Sequence, residues 1–257
     1  MNRNLPFEYQ CYGCGAHYPG ELLKPQCTAC GEPLALTVPT APDRALFERP
    51  AVSQWTYKEL LPIARDEHVV SLGEGATPLI TAPQLAVKTR FSEITLKLET
   101  ANPTSSFKDR QVSVGISRAR ELGMDTVAVV SSGNVACAAS AYAARAGMRA
   151  ILLMHGHAAS GKIAQASAYG GKAIRVDDKS AGAVFNLCLA ACKEFGWYHL
   201  STAGMYEPFN VEGAKTIAYE VYQQTGGRMP DWIVAPVGGG GLLGGIWRGL
   251  LDLQRLG

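Results

Sequence analysis

No stretch of this 257-residue chain approaches the roughly 20 consecutive apolar residues that a membrane-spanning helix needs. Its opening residues, MNRNLPFEYQ, lack the apolar core of a signal peptide, so the expected location is cytoplasmic. Charge imbalance is also missing. With 24 Lys and Arg against 22 Asp and Glu, the formal charge is +2, which gives no electrostatic reason to expect nucleic acid or membrane as a partner. Internal repeats and low-complexity tracts are absent, and no Gly-Lys-Ser/Thr follows the glycine run at 238–241, which argues against a nucleoside-triphosphate loop. What is present is a chain of 47% hydrophobic content, long enough to bury a full core as one large or two modest domains.

Cysteine is used unevenly. Four of the seven form two C-x-x-C-G units, Cys11 with Cys14 and Cys27 with Cys30, with twelve residues between Cys14 and Cys27. Two-residue spacing lets both thiolates of a pair reach one ion, and the following glycine permits the tight turn that aims backbone amides at sulfur. Four soft ligands suit a structural zinc ion, and a redox dithiol needs one such pair rather than two. The competing reading is a ribbon of reduced cysteines that has lost its metal; His17 is not needed as a ligand. Cys137, Cys188 and Cys192 fall on apolar helix faces and are expected to pack as small hydrophobes.

Three segments carry chemistry. In NPTSSFKDR, at 102–110, Pro103 disfavours helix before it and an apolar periodicity (Val112, Ile116, Ala119, Leu122) follows, which places Lys108 near a helix start. The positive end of a helix disfavours a protonated amine and favours a nucleophilic one. In DWIVAPVGGGG, at 231–241, an expected buried strand runs into four glycines and then an apolar helix, the arrangement in which backbone N–H groups hold a phosphate. In the third, an apolar strand at 126–130 meets Ser131-Ser132-Gly133-Asn134 and an alanine-rich helix. Asn134 reads equally as an N-cap or as a ligand for a carboxylate or ring hydroxyl.

After Lys108 the pattern alternates: helices at 109–122, 134–146, 160–169, 180–194, 211–224 and 241–253, and strands at 126–131, 149–154, 172–176, 197–200 and 231–237. Strands separated by helices imply βαβ units in a parallel sheet, with ligands outside the strands' carboxyl ends. Residues 37–50, which include Pro39, Pro42 and Pro50, read as a linker. Trp232 and Trp247 are expected in the core, Lys97 and Glu99 at a strand edge, and His155 and His157 in a solvated loop.

SLGEGATPL (71–79), Lys108 in NPTSSFKDR, SSGN (131–134), VEGAKT (211–216) and PVGGGG (236–241) occur in the order seen in the threonine synthases, and the chain resembles that family over about 71–249. These belong to the tryptophan-synthase-β-like, fold type II class of pyridoxal-phosphate enzymes. The resemblance implies an α/β fold of two open parallel-type sheets with flanking helices, here behind a zinc-ribbon-like segment. The corresponding division is 1–36 for the ribbon, 37–95 for the linker and start of the large domain, 96–165 for a small domain with Lys108 and SSGN, and 166–257 for the rest of the large domain. It implies Lys108 as the Schiff-base lysine, Phe107 near the cofactor ring and Asn134 at its phenolic oxygen. Gly238, Gly239, Gly240, Gly241 and the Leu242 amide would hold the phosphate, and Ser131 and Ser132 the substrate carboxylate. It further implies a small amino-acid substrate, a homodimer, and a zinc outside the chemistry. The activity implied is conversion of O-phosphohomoserine and water to threonine and phosphate.

Three departures keep a dehydratase or a cysteate-synthase-like β-replacement enzyme in view. Val135 follows SSGN where threonine is usual, Asn210 stands where an arginine tends to meet the substrate phosphate, and the all-glycine loop is common in dehydratases. Family members also continue well past the phosphate loop, to a serine or threonine facing the pyridine nitrogen. The expectation for 257 residues alone is therefore weak cofactor binding. Gly239 to Gly244 also reads G-x-G-x-x-G, but an NAD-binding unit needs a second strand and an acid about 20 residues further on. A non-catalytic zinc-ribbon remnant is disfavoured by the retained Lys108.

Overall fold

The computed structural model describes residues 7–20, 26–38, 43–155, 160–177 and 180–255. His157 and the 39–42 part of the expected linker lie outside them. The chain opens with a small antiparallel sheet of β1 (Glu8–Cys11), β2 (His17–Pro19) and β3 (Leu34–Thr37), in the order β2-β1-β3. Alternation along β1 and β3 buries Tyr9, Cys11, Leu34 and Leu36, which pack with Phe7 on Leu61, Val114 and Phe209 of the main body. The ribbon is further tied down by Arg118, which lies over the Phe7 and Phe209 rings and donates to the Gly20 carbonyl at 3.0 Å. The linker is structured in part: α1 (Arg44–Glu48) is capped by Asp43 and buries Leu46 and Phe47 against α7 (Pro208–Gln224). Proline content did not reveal it because its stability comes from that distant apolar contact.

A hairpin of β4 (Leu79–Thr81) and β5 (Thr95–Lys97) encloses α2 (Pro83–Thr89) and leads into α3 (Lys108–Glu121). The βα alternation follows: β6 (Thr126–Val130), α4 (Asn134–Ala146), β7 (Arg149–His155), α5 (Ser160–Ala168), β8 (Lys172–Val176), α6 (Ala181–Phe195) and β9 (Tyr198–His199). The four strands form one parallel sheet in the order β8-β7-β6-β9. Successive side chains of β6 serve opposite faces. Val127 and Val129 join the core made by α3 and α4, and Ala128 joins Val184, Cys188 and Cys192 of α6. Because β8 pairs with β7, this sheet runs through the expected 165/166 boundary.

α7 packs between α3 and α8 (Gly241–Gln254). Backbones meet closely there. A Cβ on Gly213 would lie 2.1 Å from the Arg110 carbonyl oxygen, and Cβ atoms on Gly245 and Gly249 would lie 2.4 Å and 2.9 Å from the Cβ of Ala214 and of Ala218. Two expectations need correction. Residues 231–237 form no strand, and Trp232, Val234 and Val237 are exposed at 77%, 95% and 62%. Trp247 is likewise 59% exposed. Apolar composition makes a strand only where another strand is present to pair with, and among the described residues none lies beside 231–237. The described residues form one parallel sheet with flanking helices, within the α/β fold expected.

The framework converges on Arg110, which is fully buried. Its Nε and Nη2 donate to Glu99 at 2.7 and 2.8 Å, its Nη1 and Nη2 to Glu220 at 2.6 and 2.8 Å, and the same nitrogens reach Thr216 and Thr77. Lys97 joins at 2.6 Å from Glu220, so Lys97 and Glu99 belong to this cluster and not to a solvated strand edge. Burial alone would raise the Glu220 carboxyl; the Arg110 charge and hydrogen bonds, helped by Lys97, outweigh it and hold it at about 2. Replacing Arg110 by Met leaves the buried Glu220 carboxylate to Lys97 and the partly buried Glu99 without its guanidinium, and the expected loss is about 3–5 kcal/mol. Urea unfolding checks this: the midpoint should fall at unchanged slope. A midpoint within error of the parent protein would show that the cluster does not hold the fold.

Candidate active site

Lys108 is the first residue of α3, one place earlier than the periodicity suggested, with Phe107 at the cap. α3 runs down to the turn at 122–125, from which β6 returns, so the start of α3 and the carboxyl end of β6 lie on one side of the sheet. The loop before Lys108 is closed by Asp109, whose Oδ2 accepts from the Thr104 amide at 3.1 Å and the Thr104 hydroxyl at 3.0 Å. Closing it places Ser105 in the left-handed region at φ 66, which costs a non-glycine residue roughly 1–2 kcal/mol. The Lys108 amine lies 4.4 Å from the Phe107 ring centroid and donates to Gln111 Oε1 at 2.8 Å. Burial pushes that amine down to about 8, and the helix start acts in the same direction. Burial also lifts the Asp109 carboxyl to about 6.

The last glycine of the run reaches the Gln111 side chain that Lys108 holds. Gly240 caps α8 in the left-handed conformation at φ 79, no side chain caps the helix, and Gly241 begins it. A Cβ on Gly241 would come 2.7 Å from the Thr202 carbonyl oxygen and 3.1 Å from Gln111 Nε2. One amide thus touches Lys108 with its oxygen and borders the α8 start with its nitrogen. Gly238 and Gly239 lack the positive φ of Gly240, and unlike at Gly241 added Cβ atoms would meet nothing within 4 Å.

At the end of β6, Ser131 and Ser132 are half-buried and Asn134 is exposed as the first residue of α4; Gly133 takes the cap position, and Asn134 does not. The Ser131 hydroxyl accepts from the Gly133 amide at 3.2 Å, which shapes the turn. Val135 packs against the main core. Asn210 is fully buried, donating to the Ser201 carbonyl at 2.6 Å, and its Oδ1 would lie 2.1 Å from a Cβ on Gly115. An arginine would not fit between α3 and α7 at that point. Cys137, Cys188 and Cys192 are buried, as their helix faces predicted.

A supporting element hidden from sequence reasoning is the carboxylate of Glu74 in SLGEGATPL. It is fully buried and accepts from Gln54, Trp55, Ser113, Ser71, Tyr142 and the Leu72 amide, at 2.5–3.1 Å. These donors tie α3 to α4 behind the candidate site. The motif signalled importance; its role depends on partners up to 68 residues away.

The sequence pattern of the pyridoxal-phosphate dependent enzyme family matches residues 70–255. The chain belongs to this family. The threonine synthase of Methanocaldococcus jannaschii is 39% identical over 207 residues, which cover 80% of this chain and 50% of that protein. The threonine synthase of Methanosarcina acetivorans is 35% identical, with coverages of 98% and 62%. The chain therefore spans between half and two thirds of the length of these curated relatives. Among solved structures, a pyridoxal 5'-phosphate-dependent aspartate racemase is similar at TM-score 0.62 and 26% identity, covering 70% of this chain and 55% of its own. Diaminopropionate ammonia lyase of Escherichia coli, at TM-score 0.66 and 20% identity over 73% and 57%, shares the fold. Family membership implies pyridoxal phosphate as the cofactor.

The four N-terminal thiols converge as the spacing predicted. Their sulfur atoms all lie within 4.8 Å of one another, with Cys11 and Cys30 3.4 Å apart and Cys14 and Cys27 3.7 Å apart. For Zn–S bonds of about 2.3 Å, a tetrahedron has edges of about 3.8 Å. Gly15 and Gly31 are left-handed, and the Gly13 and Ala29 amides point at Cys11 and Cys27 sulfur at 3.3 and 3.4 Å. His17 instead pairs with Glu8 at the surface.

With the Lys108 amine at about 8, its uncharged, reactive fraction grows as pH rises through that value rather than through the ordinary lysine range. Acylation of Lys108, followed by peptide mass, is expected to accelerate with a midpoint near 8. A midpoint near that of exposed lysines in the same digest would mean that the amine is not desolvated.

Proposed function

We propose that this chain builds a pyridoxal-phosphate site on Lys108 and the 238–241 loop, and acts as a threonine synthase on O-phosphohomoserine. The observation that carries the cofactor site is the pair Gly238 and Gly239. No described residue requires glycine there, so the open space suits a ligand that must approach the backbone. The uncapped start of α8 and the lowered Lys108 amine fit the same group. Two relatives that are threonine synthases support the reaction.

In this reading the amides of Gly238, Gly239, Gly240, Gly241 and Leu242 hold the cofactor phosphate, Phe107 borders the ring and Asn134 meets the phenolic oxygen. When bound, the cofactor supplies an electron sink next to the substrate's α-carbon. Lys108 anchors it and then takes and returns protons at the substrate carbons, a task suited to an amine near 8. The hydroxyls of Ser131 and Ser132 orient the substrate carboxylate. A homodimer in the cytoplasm completes the reading; among the described residues no helix is long and apolar enough to cross a membrane.

Val135, which offers no hydroxyl beside SSGN, favours a second reading as a dehydratase or β-replacement enzyme. Parallel incubations with O-phosphohomoserine and with serine or threonine separate the two, since the first reading expects threonine and phosphate from O-phosphohomoserine and a dehydratase releases a keto acid and ammonia from the hydroxyamino acid. Gly239→Ala is expected to fold normally while losing at least tenfold in pyridoxal-phosphate affinity. Unchanged affinity would remove the loop from the site.

The four thiolates hold one structural zinc ion in this reading, which fixes the ribbon against α3 and α7 and stays outside the chemistry. Metal analysis should return one zinc per chain. Cys14→Ser with Cys30→Ser should lose it, and the β1–β3 amides should then exchange faster while those of β6 and β7 stay protected. Absence of zinc would reduce the cluster to unligated thiols, and equal exchange with and without metal would mean that the ion does not hold the ribbon in place.

A further inference from the structure

We propose that Gln111 is a cofactor-positioning residue that spans the site, holding the Lys108 amine with its side-chain oxygen and donating its amide N–H to the cofactor phosphate at the start of α8. The proposal rests on the pyridoxal-phosphate reading above and adds a side-chain donor to a phosphate site otherwise built of backbone amides. Gln111 is fully buried one helical turn after Lys108, so the two side chains share a face of α3. Lys108 Nζ donates to Oε1 at 2.8 Å, and this contact decides which way round the amide stands, because an ammonium needs an acceptor. Nε2 is thereby turned towards Gly241, where it is buried with no hydrogen-bond partner among the described residues.

That orphan donor is the informative atom. A buried N–H without an acceptor is costly, and an apolar side chain of the same shape would avoid the cost. It lies at the uncapped N-terminus of a 14-residue helix, where first-turn amides also lack side-chain partners. A phosphate oxygen on this helix start would satisfy Nε2 and the amides together. Gly241 fits the same account, since any Cβ there would crowd Nε2 at 3.1 Å and the Thr202 carbonyl at 2.7 Å. Gln111 therefore couples the two ends of the cofactor: a phosphate seated on α8 fixes the amide, and the amide fixes where the Lys108 amine stands.

The experiment compares the 257-residue protein with Gln111→Glu and Gln111→Met, using two probes, pyridoxal phosphate and phosphate-free pyridoxal. Borohydride reduction and peptide mass first confirm that each probe reacts at Lys108 in the parent protein. Glu keeps the oxygen facing Lys108 but replaces the donor by an anion; Met removes both contacts at similar volume. Both variants are expected to lose roughly 10- to 100-fold in affinity for pyridoxal phosphate and less than threefold for pyridoxal, the range of one hydrogen bond to a charged group. Gln111→Glu should also move the pH midpoint of Lys108 labelling upwards, and Gln111→Met should not. Equal losses for both probes, or none, with Lys108 labelled in the parent, would overturn the role of Gln111 and leave the cofactor assignment standing. Failure to label Lys108 in the parent would overturn both. Should Gln111→Glu not fold, the ratio of the two affinities in Gln111→Met decides alone.

Discussion

The arginine two residues beyond the candidate lysine is the fixed point of this structure. Arg110 satisfies its guanidinium with two carboxylates and two hydroxyls, from the segment before β4, the turn after β5 and α7. A buried charge of this kind is costly unless every donor is matched, and here Nε, Nη1 and Nη2 all are. The matching has a geometric effect beyond its energy. It sets the rotation and height of the first turn of α3 relative to α7, and α8 packs on α7 through Gly245 and Gly249. The Lys108 amine and the glycine loop are thus held to one frame, although Gly238 lies 130 positions after Lys108 in the chain.

Glu74 shows a second way to keep a carboxylate inside a protein. Glu220 is balanced by Arg110 and Lys97, whereas Glu74 is surrounded by neutral donors from the indole, hydroxyl, amide and backbone groups around it. Donors bound in this way must keep their positions, because losing one leaves a charged acceptor underserved in a low-dielectric interior. The two anions meet α3 one turn apart, Glu220 at Arg110 and Glu74 at Ser113. Its face towards the sheet is apolar, with Val112, Ile116 and Ala119 in the core, so α3 is held by packing on one side and by polar networks at its first turns.

Much of this was readable from sequence where the signal is local. The span of α4 matched residue for residue, β8 matched at both ends, and the cysteine spacing gave the thiol cluster. Reading failed where the partner is remote. Lys97 looked like a solvated edge charge because its partner, Glu220, lies more than a hundred positions away, and Glu99 because Arg110 reaches it only once α3 has folded back onto β5. The apolar run at 231–237 looked like a strand because periodicity reports what a segment can bury, and pairing reports what stands beside it. Gln111 carried no motif signal at all; only its orphan nitrogen, visible once α8 is in place, distinguishes it from an ordinary helix residue.

The first turn of α3 combines these constraints by simple helical geometry. Successive residues point about 100° apart, so four consecutive side chains reach three different surroundings. Lys108 faces the site, Asp109 turns back to close the preceding loop on Thr104, Arg110 crosses to α7, and Gln111 returns to the side of Lys108. Each position constrains its neighbour: an Arg110 free to move would let α3 rotate, and a rotation of even one residue would exchange the lysine for the carboxylate. The charge of Arg110 has little effect on the amine because Glu99 and Glu220 compensate it locally, and the lowered Lys108 pKa has burial as its cause. Placing a fully compensated arginine next to a desolvated lysine gives the helix a rigid anchor without adding a repelling charge to the site, and this separation of anchoring from chemistry is what the sequence KDRQ achieves in one turn.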